Sequence, residues 1–219
     1  MPDSIDAIGR EAIQYFSLKH TAREKALPKS RLAIRHCANS IRATHRQEFA
    51  SASALILQAA TLIREMEEDL REHQDIYNAG FVQDAQKEYA EALTFAALAQ
   101  RQALPTPSEL TISYAAYFNG IAEAIGELRR YLLDQLRRGQ VEQCEIFLAF
   151  MDDIYAVLIS IDFPDAITSG LRRSTDSARG ILEKTRGDLT AATVQFQLQQ
   201  SMLDLQLELQ KHQLENTLE

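Results

Sequence analysis

Apolar positions recur at three- and four-residue steps along most of the chain, and no stretch alternates with period two. The pattern predicts helices and no strands. Ser4 can cap a short helix to about residue 17. Pro28 suits a helix start, and residues 31–46 follow, with Leu32, Ile34, Ala38 and Ile41 as expected core contacts. Residues 48–72 read as a long helix that turns from Ala54, Leu55, Ile56 and Leu57 to the acidic, solvated run of Glu65, Glu67, Glu68 and Asp69. After Asn78-Ala79-Gly80, further helices are expected over 81–101, over 114–138 with Gly139 as the stop, and over 141–161. Phe163-Pro164 ends that apolar helix, another follows to about Gly187, and Asp188 can cap the last one. About seven helices with short connections predict an all-α, elongated antiparallel bundle. Residues 1–187 form its main helical domain. Residues 188–219 form a C-terminal amphipathic helix, part of that domain or of an oligomer interface.

The last helix carries two apolar stripes. Val194, Leu198, Met202, Leu205 and Leu209 lie on one side; Phe196, Leu203, Leu207, Leu214 and Leu218 lie roughly opposite. A helix apolar on two sides needs two neighbours, which points to subunit packing; a Gln-rich, partly frayed tail is the alternative.

Two stretches carry candidate chemistry. Glu88 and Glu91 stand three residues apart on one helix, and between Tyr89 and Ala99 only Glu91 and Thr94 are polar. A lone carboxylate on so apolar a surface is costly to bury, so it is exposed, paired or metal-bound. Glu123 and Glu127 form a second pair one turn apart. Four carboxylates from two helices make either a salt-bridged surface, with Lys87 for Glu91 and Arg130 for Glu127, or a divalent-metal site. Arg42, His45 and Arg46 share a face that is either solvated or in contact with nucleic acid, and Arg130 lies among the arginines that the end of its helix also favours.

Composition narrows the classes. The chain has 219 residues, 46% hydrophobic and 25% charged, enough for a full core in one domain. A net charge of −8 argues against a simple basic nucleic-acid surface without excluding local basic patches. With Cys37 and Cys144 the only cysteines, no disulfide scaffold or Cys-based zinc site is expected, and the compartment reads as reducing and cytoplasmic. The polar start carries no signal peptide, and Asp152 and Asp153 interrupt the most apolar stretch, so no membrane span is expected. Phosphate-binding Gly loops and Gly-x-Ser-x-Gly are absent, and no histidine follows a Glu by three residues, which removes the ferritin-like di-iron signature. Hydrolysis by metal-activated water is the chemistry left to clustered glutamates.

Four segments together resemble the translin superfamily: Ser40-Ile41-Arg42-Ala43-Thr44-His45-Arg46, Glu88 through Phe95, Tyr117-Phe118-Asn119-Gly120 with Gly126-Glu127-Leu128, and Leu171-Arg172-Arg173-Ser174-Thr175-Asp176. The resemblance runs in order from about Ala22 to Thr190. It implies a helical bundle that assembles into a hollow barrel, typically an octamer, holding RNA or single-stranded DNA. Tyr77-Asn78-Ala79-Gly80-Phe81 stands where the translin branch has a basic, aromatic stretch, so the chain is closer to the translin-associated factor X branch of metal-dependent endoribonucleases. That branch implies Glu88, Glu91, Glu123 and Glu127 as catalytic and metal-binding residues. Glu123 departs from it, because an Asp is expected there. All-oxygen ligands suit Mg²⁺, with Mn²⁺ the alternative. Arg42, Arg46 and Arg130 are the expected phosphate contacts. A barrel that binds RNA or single-stranded DNA without cutting is the second reading, and a scaffold bundle the third.

Overall fold

The computed structural model describes residues 4–215, all of them helix or connection. Six helices longer than one turn form the bundle: α1 (Ile5–His45), α2 (Phe49–Leu70), α4 (Gly80–Ala99), α6 (Tyr114–Arg137), α7 (Val141–Ser160) and α9 (Leu171–Glu215). Three single turns, α3 (Gln74–Tyr77), α5 (Pro107–Leu110) and α8 (Asp165–Thr168), sit in the connections. The all-α bundle agrees with the periodicity. Among the described residues, no helix is long and apolar enough to cross a membrane.

Local chemistry fixes the ends. Ser4 and Ser113 accept hydrogen bonds from the first-turn amides of Ala7 and Ala116. Thr106 and Glu109 close a reciprocal capping box at α5. Gly139, at φ 77°, ends α6 with paired bonds from Gly139 N to Leu136 O and from Gln140 N to Gln135 O.

Two boundaries differ from the sequence reading. Pro28 does not start a helix but lies inside α1. A proline there removes one ladder bond, but its ring is exposed while Ala26, Ser30 and Ala33 beside it are buried, so packing carries the helix through. Ser30 Oγ also donates to Phe81 O at 2.7 Å, tying α1 to the start of α4. Asp188 likewise caps nothing, because α9 runs unbroken past Gly187. The stripe Leu171, Ala178, Leu182, Thr185 and Leu189 stays buried across that point. Asp188 instead accepts an ion pair from Arg129 at 2.6 Å.

Helix α1 packs on α2 and α4, α4 packs on α6, and α6 packs on α7 and α9. The α4–α6 pair is therefore the centre of the molecule. Phe95, Ile125, Leu128 and Leu132 fill it, joined by Met66 and Leu70 from α2 and Met151 and Leu158 from α7. Leu32, expected in the core, points outward, whereas Ile41 is buried. Cys37 and Cys144 are both buried free thiols. Lys29 pairs with Glu65 at 3.2 Å and Asp69 at 2.7 Å, so part of the acidic end of α2 is held rather than simply solvated.

Candidate metal centre and cleft

The approach of α4 to α6 depends on one missing side chain. A Cβ on Gly120 would lie 2.4 Å from Lys87 O and 2.7 Å from Ala90 Cβ. Only glycine lets the two backbones meet this closely. The contact point lies beside Glu88 and Glu91 on α4 and one turn before Glu123 on α6.

At this crossing, Glu88, Glu91 and Glu123 each present an oxygen, all within 4.8 Å of one another. An ion with oxygen ligands at 2.0–2.1 Å spans up to roughly 4.2 Å between opposite ligands, so the three carboxylates need close in only slightly to hold a divalent cation. Glu91 keeps 9% of its surface exposed. Burial first, then repulsion from Glu88, Glu123 and Glu127, pushes its carboxyl up to about 8. Glu88 is raised in the same direction, chiefly by burial. Lys87 is the local counter-charge, with Nζ 2.8 Å from Glu123 Oε1. Burial, the largest single influence, would lower Lys87, but its hydrogen bond to Glu123 together with attraction from Glu123, Glu88 and Asp84 outweighs it and raises the group.

The pairings differ from those the sequence offered. Lys87 holds Glu123 across the helix interface rather than Glu91 on its own helix. Glu127 is held by His45, not by Arg130: His45 Nε2 lies 2.5 Å from Glu127 Oε2. Glu127 stands outside the group of three, yet its charge is felt at Glu91. His45 separates from Arg42 and Arg46 by turning into the core, where its ring lies 4.6 Å from that of Phe95.

Glu91 and Glu123 open into a cleft of about 680 Å³ between α4, α6 and the start of α9, lined also by Asp84, Lys87, Asn119 and Arg173 among others. Asn119 holds its walls together, donating to Thr168 O at 2.9 Å and accepting from Ser174 Oγ at 2.7 Å. The three expected phosphate-binding arginines lie outside this cleft. Arg42 is exposed and bonded to Asn39, Arg46 is exposed and forked onto Glu48 at 2.8 and 2.7 Å, and Arg130 is exposed without an ion pair among the described residues. Arg173 is the cation that sequence reasoning left without a role. It is exposed and lines the cleft without an ion pair among the described residues, whereas Arg172 pairs with Asp162. A periodicity signal was available: with Leu171 and Ala178 buried, Gly170, Arg173 and Ser177 share another face.

No family model matches the chain. A curated protein of Methanocaldococcus jannaschii, itself uncharacterized, is 29% identical over 200 residues, covering 89% of this chain and 87% of that protein. The crystal structure of AfC3PO, from Archaeoglobus, is 34% identical over 84% of this chain and 96% of its own, with a TM-score of 0.78. This chain belongs to the translin superfamily. The structure of AfC3PO in complex with duplex RNA is 33% identical over the same shares, with a TM-score of 0.77. Apo-NeC3PO, from Nematostella, shares the fold at 21% identity and a TM-score of 0.74, covering 88% of this chain and 98% of its own. The described residues share the all-α helical bundle of these structures.

Proposed function

We propose that this protein is a divalent-metal-dependent endoribonuclease of the translin-associated factor X branch, acting on RNA held within a homo-octameric barrel. The carrying observation is the meeting of Glu88, Glu91 and Glu123 from two helices, with Glu91 and Glu123 facing one cleft. Support for the substrate comes from AfC3PO, more than 30% identical over most of both chains and solved with duplex RNA. Support for assembly is the exposure of Val194, Leu198, Met202, Leu205 and Leu209, and of Leu203 and Leu207 on the second stripe. Phe196 is half-buried, while Leu218 and the side chain of Leu214 lie outside the described residues.

Glu88, Glu91 and Glu123 would hold the ion, and their all-oxygen donor set favours Mg²⁺ or Mn²⁺ over softer metals. Bound there, the ion supplies a Lewis acid that activates water and steadies charge on the departing oxygen. Lys87 offsets part of the acidic charge and keeps Glu123 facing α4. Arg173 offers the cleft an unpaired guanidinium for a phosphate, with a bidentate fork suited to it. Arg42, Arg46 and Arg130 would serve the chain of phosphates beyond the cleft, Arg46 only by exchanging Glu48 for RNA. Single-stranded DNA offers the same phosphates.

The second reading is a barrel that binds without cutting. Its supporting observation is the Lys87–Glu123 pair, which holds one oxygen of the residue that replaces the family's Asp. The deciding experiment is cleavage of labelled RNA by purified protein in Mg²⁺ and in EDTA, with Glu91→Gln as the control for contaminating nuclease. Cleavage that needs Mg²⁺ and disappears in the variant supports the nuclease. No cleavage, with an RNA mobility shift in EDTA, establishes the binder.

A further inference from the structure

The His45–Glu127 contact joins residues 82 positions apart and has no part in the ion set just described. His45 comes from the last turn of α1 and Glu127 from the middle of α6. The imidazole is 6% exposed and wedged between Phe95, at 4.6 Å, and Tyr131, at 6.4 Å. This packing leaves the ring little freedom. An ionised carboxylate only accepts hydrogen bonds, so Nε2 carries the hydrogen toward Glu127 Oε2. Nδ1 is buried with no partner among the described residues, so no other hydrogen bond anchors the ring. The other Glu127 oxygen, Oε1, has no hydrogen-bond partner among the described residues. Glu127 is one turn beyond Glu123 on the same helix, and its charge reaches Glu91.

We propose that His45 is a positioning residue of the acidic site: its Nε2–H fixes one oxygen of Glu127 and leaves the other free to complete the oxygen set that takes up a divalent cation. The inference rests on the metal-site reading above. Without the imidazole, Glu127 at 26% side-chain exposure would be free to swing to solvent. Outer partners of this kind change metal affinity by about 10–100-fold when removed.

Two amides of different reach test it. In His45→Gln the side-chain NH₂ reaches about as far as Nε2; in His45→Asn it stops near Nδ1, short of Glu127. Mn²⁺ is titrated into metal-free, full-length protein, and free ion is read by electron paramagnetic resonance. Wild type and His45→Gln should agree within about threefold, and His45→Asn should bind about 10–100-fold more weakly. In a Glu127→Gln background, the same Asn substitution should change affinity by less than about threefold, since its effect passes through Glu127. Melting in EDTA checks that each variant folds. If His45→Asn does not, His45→Leu removes the donor while keeping bulk against Phe95. Wild-type affinity in the Asn or Leu variant, or an equal loss in the Glu127→Gln background, overturns the proposal. A wild type that takes up no Mn²⁺ overturns the metal site itself, an outcome that RNA binding and the His45 variants cannot imitate.

Discussion

Glu91 is the most enclosed carboxylate of the proposed metal site. Its carboxyl is raised to about 8, by burial first and then by its acidic neighbours. A carboxyl raised on folding binds its proton more tightly in the folded state, so stability falls as pH climbs from the ordinary carboxylate range toward 8. Below that range both states are protonated and the effect vanishes. Glu91→Gln mimics the protonated form, so in EDTA the variant and wild type should melt together near pH 4, and the variant should be the more stable near pH 8.5. Melting curves that stay parallel across this range would contradict the raised carboxyl. With Mg²⁺ the order should change, because a ligand stabilises the state that binds it, and the ion should raise the wild-type melting temperature more than the variant's. Cleavage should fall at least about 100-fold in Glu91→Gln, since losing an outer partner alone costs 10–100-fold. RNA affinity should stay within a few-fold, because the phosphate contacts are untouched. Much of this site was legible in sequence. The steps from Glu88 to Glu91 and from Glu123 to Glu127 place each pair on one helix face, whatever the fold. What they meet was not legible: periodicity gives the face of a helix but not which face of another helix opposes it. Lys87 was therefore assigned to its neighbour Glu91 rather than Glu123, and Glu127 to Arg130 rather than to His45.

Helices α4 and α6 carry all four carboxylates, and Gly120 sets the distance between them. Alanine there would drive its Cβ to 2.4 Å from Lys87 O, a backbone atom that cannot turn aside. Overpacking of this kind costs typically 1–3 kcal/mol, so Gly120→Ala should lower stability by about that amount in urea titration. It should also weaken Mn²⁺ uptake, since it parts Glu88 and Glu91 from Glu123. Gly126, two turns along the same helix, is the matched control. Its added Cβ would find nothing nearer than Ile181 Cδ1 at 3.9 Å, and alanine's better helix propensity should leave stability unchanged or raise it by up to ~1 kcal/mol. Equal losses at both positions would mean that the effect belongs to helix α6 in general and not to the crossing. Element identity was easier to read than element ends. The helical period placed α2, α4, α6 and α7 to within a few residues. Pro28 and the Gly187-Asp188 pair failed as boundaries because local signals were overridden by buried stripes that continue through them, Ala26 to Ala33 in one case and Leu182 to Leu189 in the other.

Apolar side chains are exposed toward both ends of the chain. Beyond Leu189 no side chain of α9 in the described residues is buried, and Leu198, Met202, Leu205 and Leu209 follow one another along one exposed side. In the first half of α1, Ile5, Ile8, Ile13 and Phe16 are exposed. Burying one such side chain fully stabilises by about 1.5–3 kcal/mol, so two exposed arms give ample drive for association. The overall acidity, −8, makes a monomer a poor RNA binder. In the proposed assembly, several Arg173 clefts around one RNA would offset this by presenting many weak phosphate contacts at once. RNA affinity should accordingly fall steeply with salt, and Arg173→Ala should make that slope shallower, because each lost phosphate contact removes about one unit of it; an unchanged slope would take Arg173 out of the interface. The size of the assembly is the last test. Light scattering on the full chain should give a mass several times 24.7 kDa. A chain ending after Thr190 keeps every buried residue of α9 and loses both exposed stripes, so it should melt like the full chain while forming a smaller assembly. If the shortened protein keeps both its mass and its melting temperature, the projecting helix takes no part in subunit packing, and the α1 arm would have to supply it. A full-length monomer at micromolar concentration would exclude an enclosed RNA site altogether, and any RNA bound would then have to lie across the open cleft.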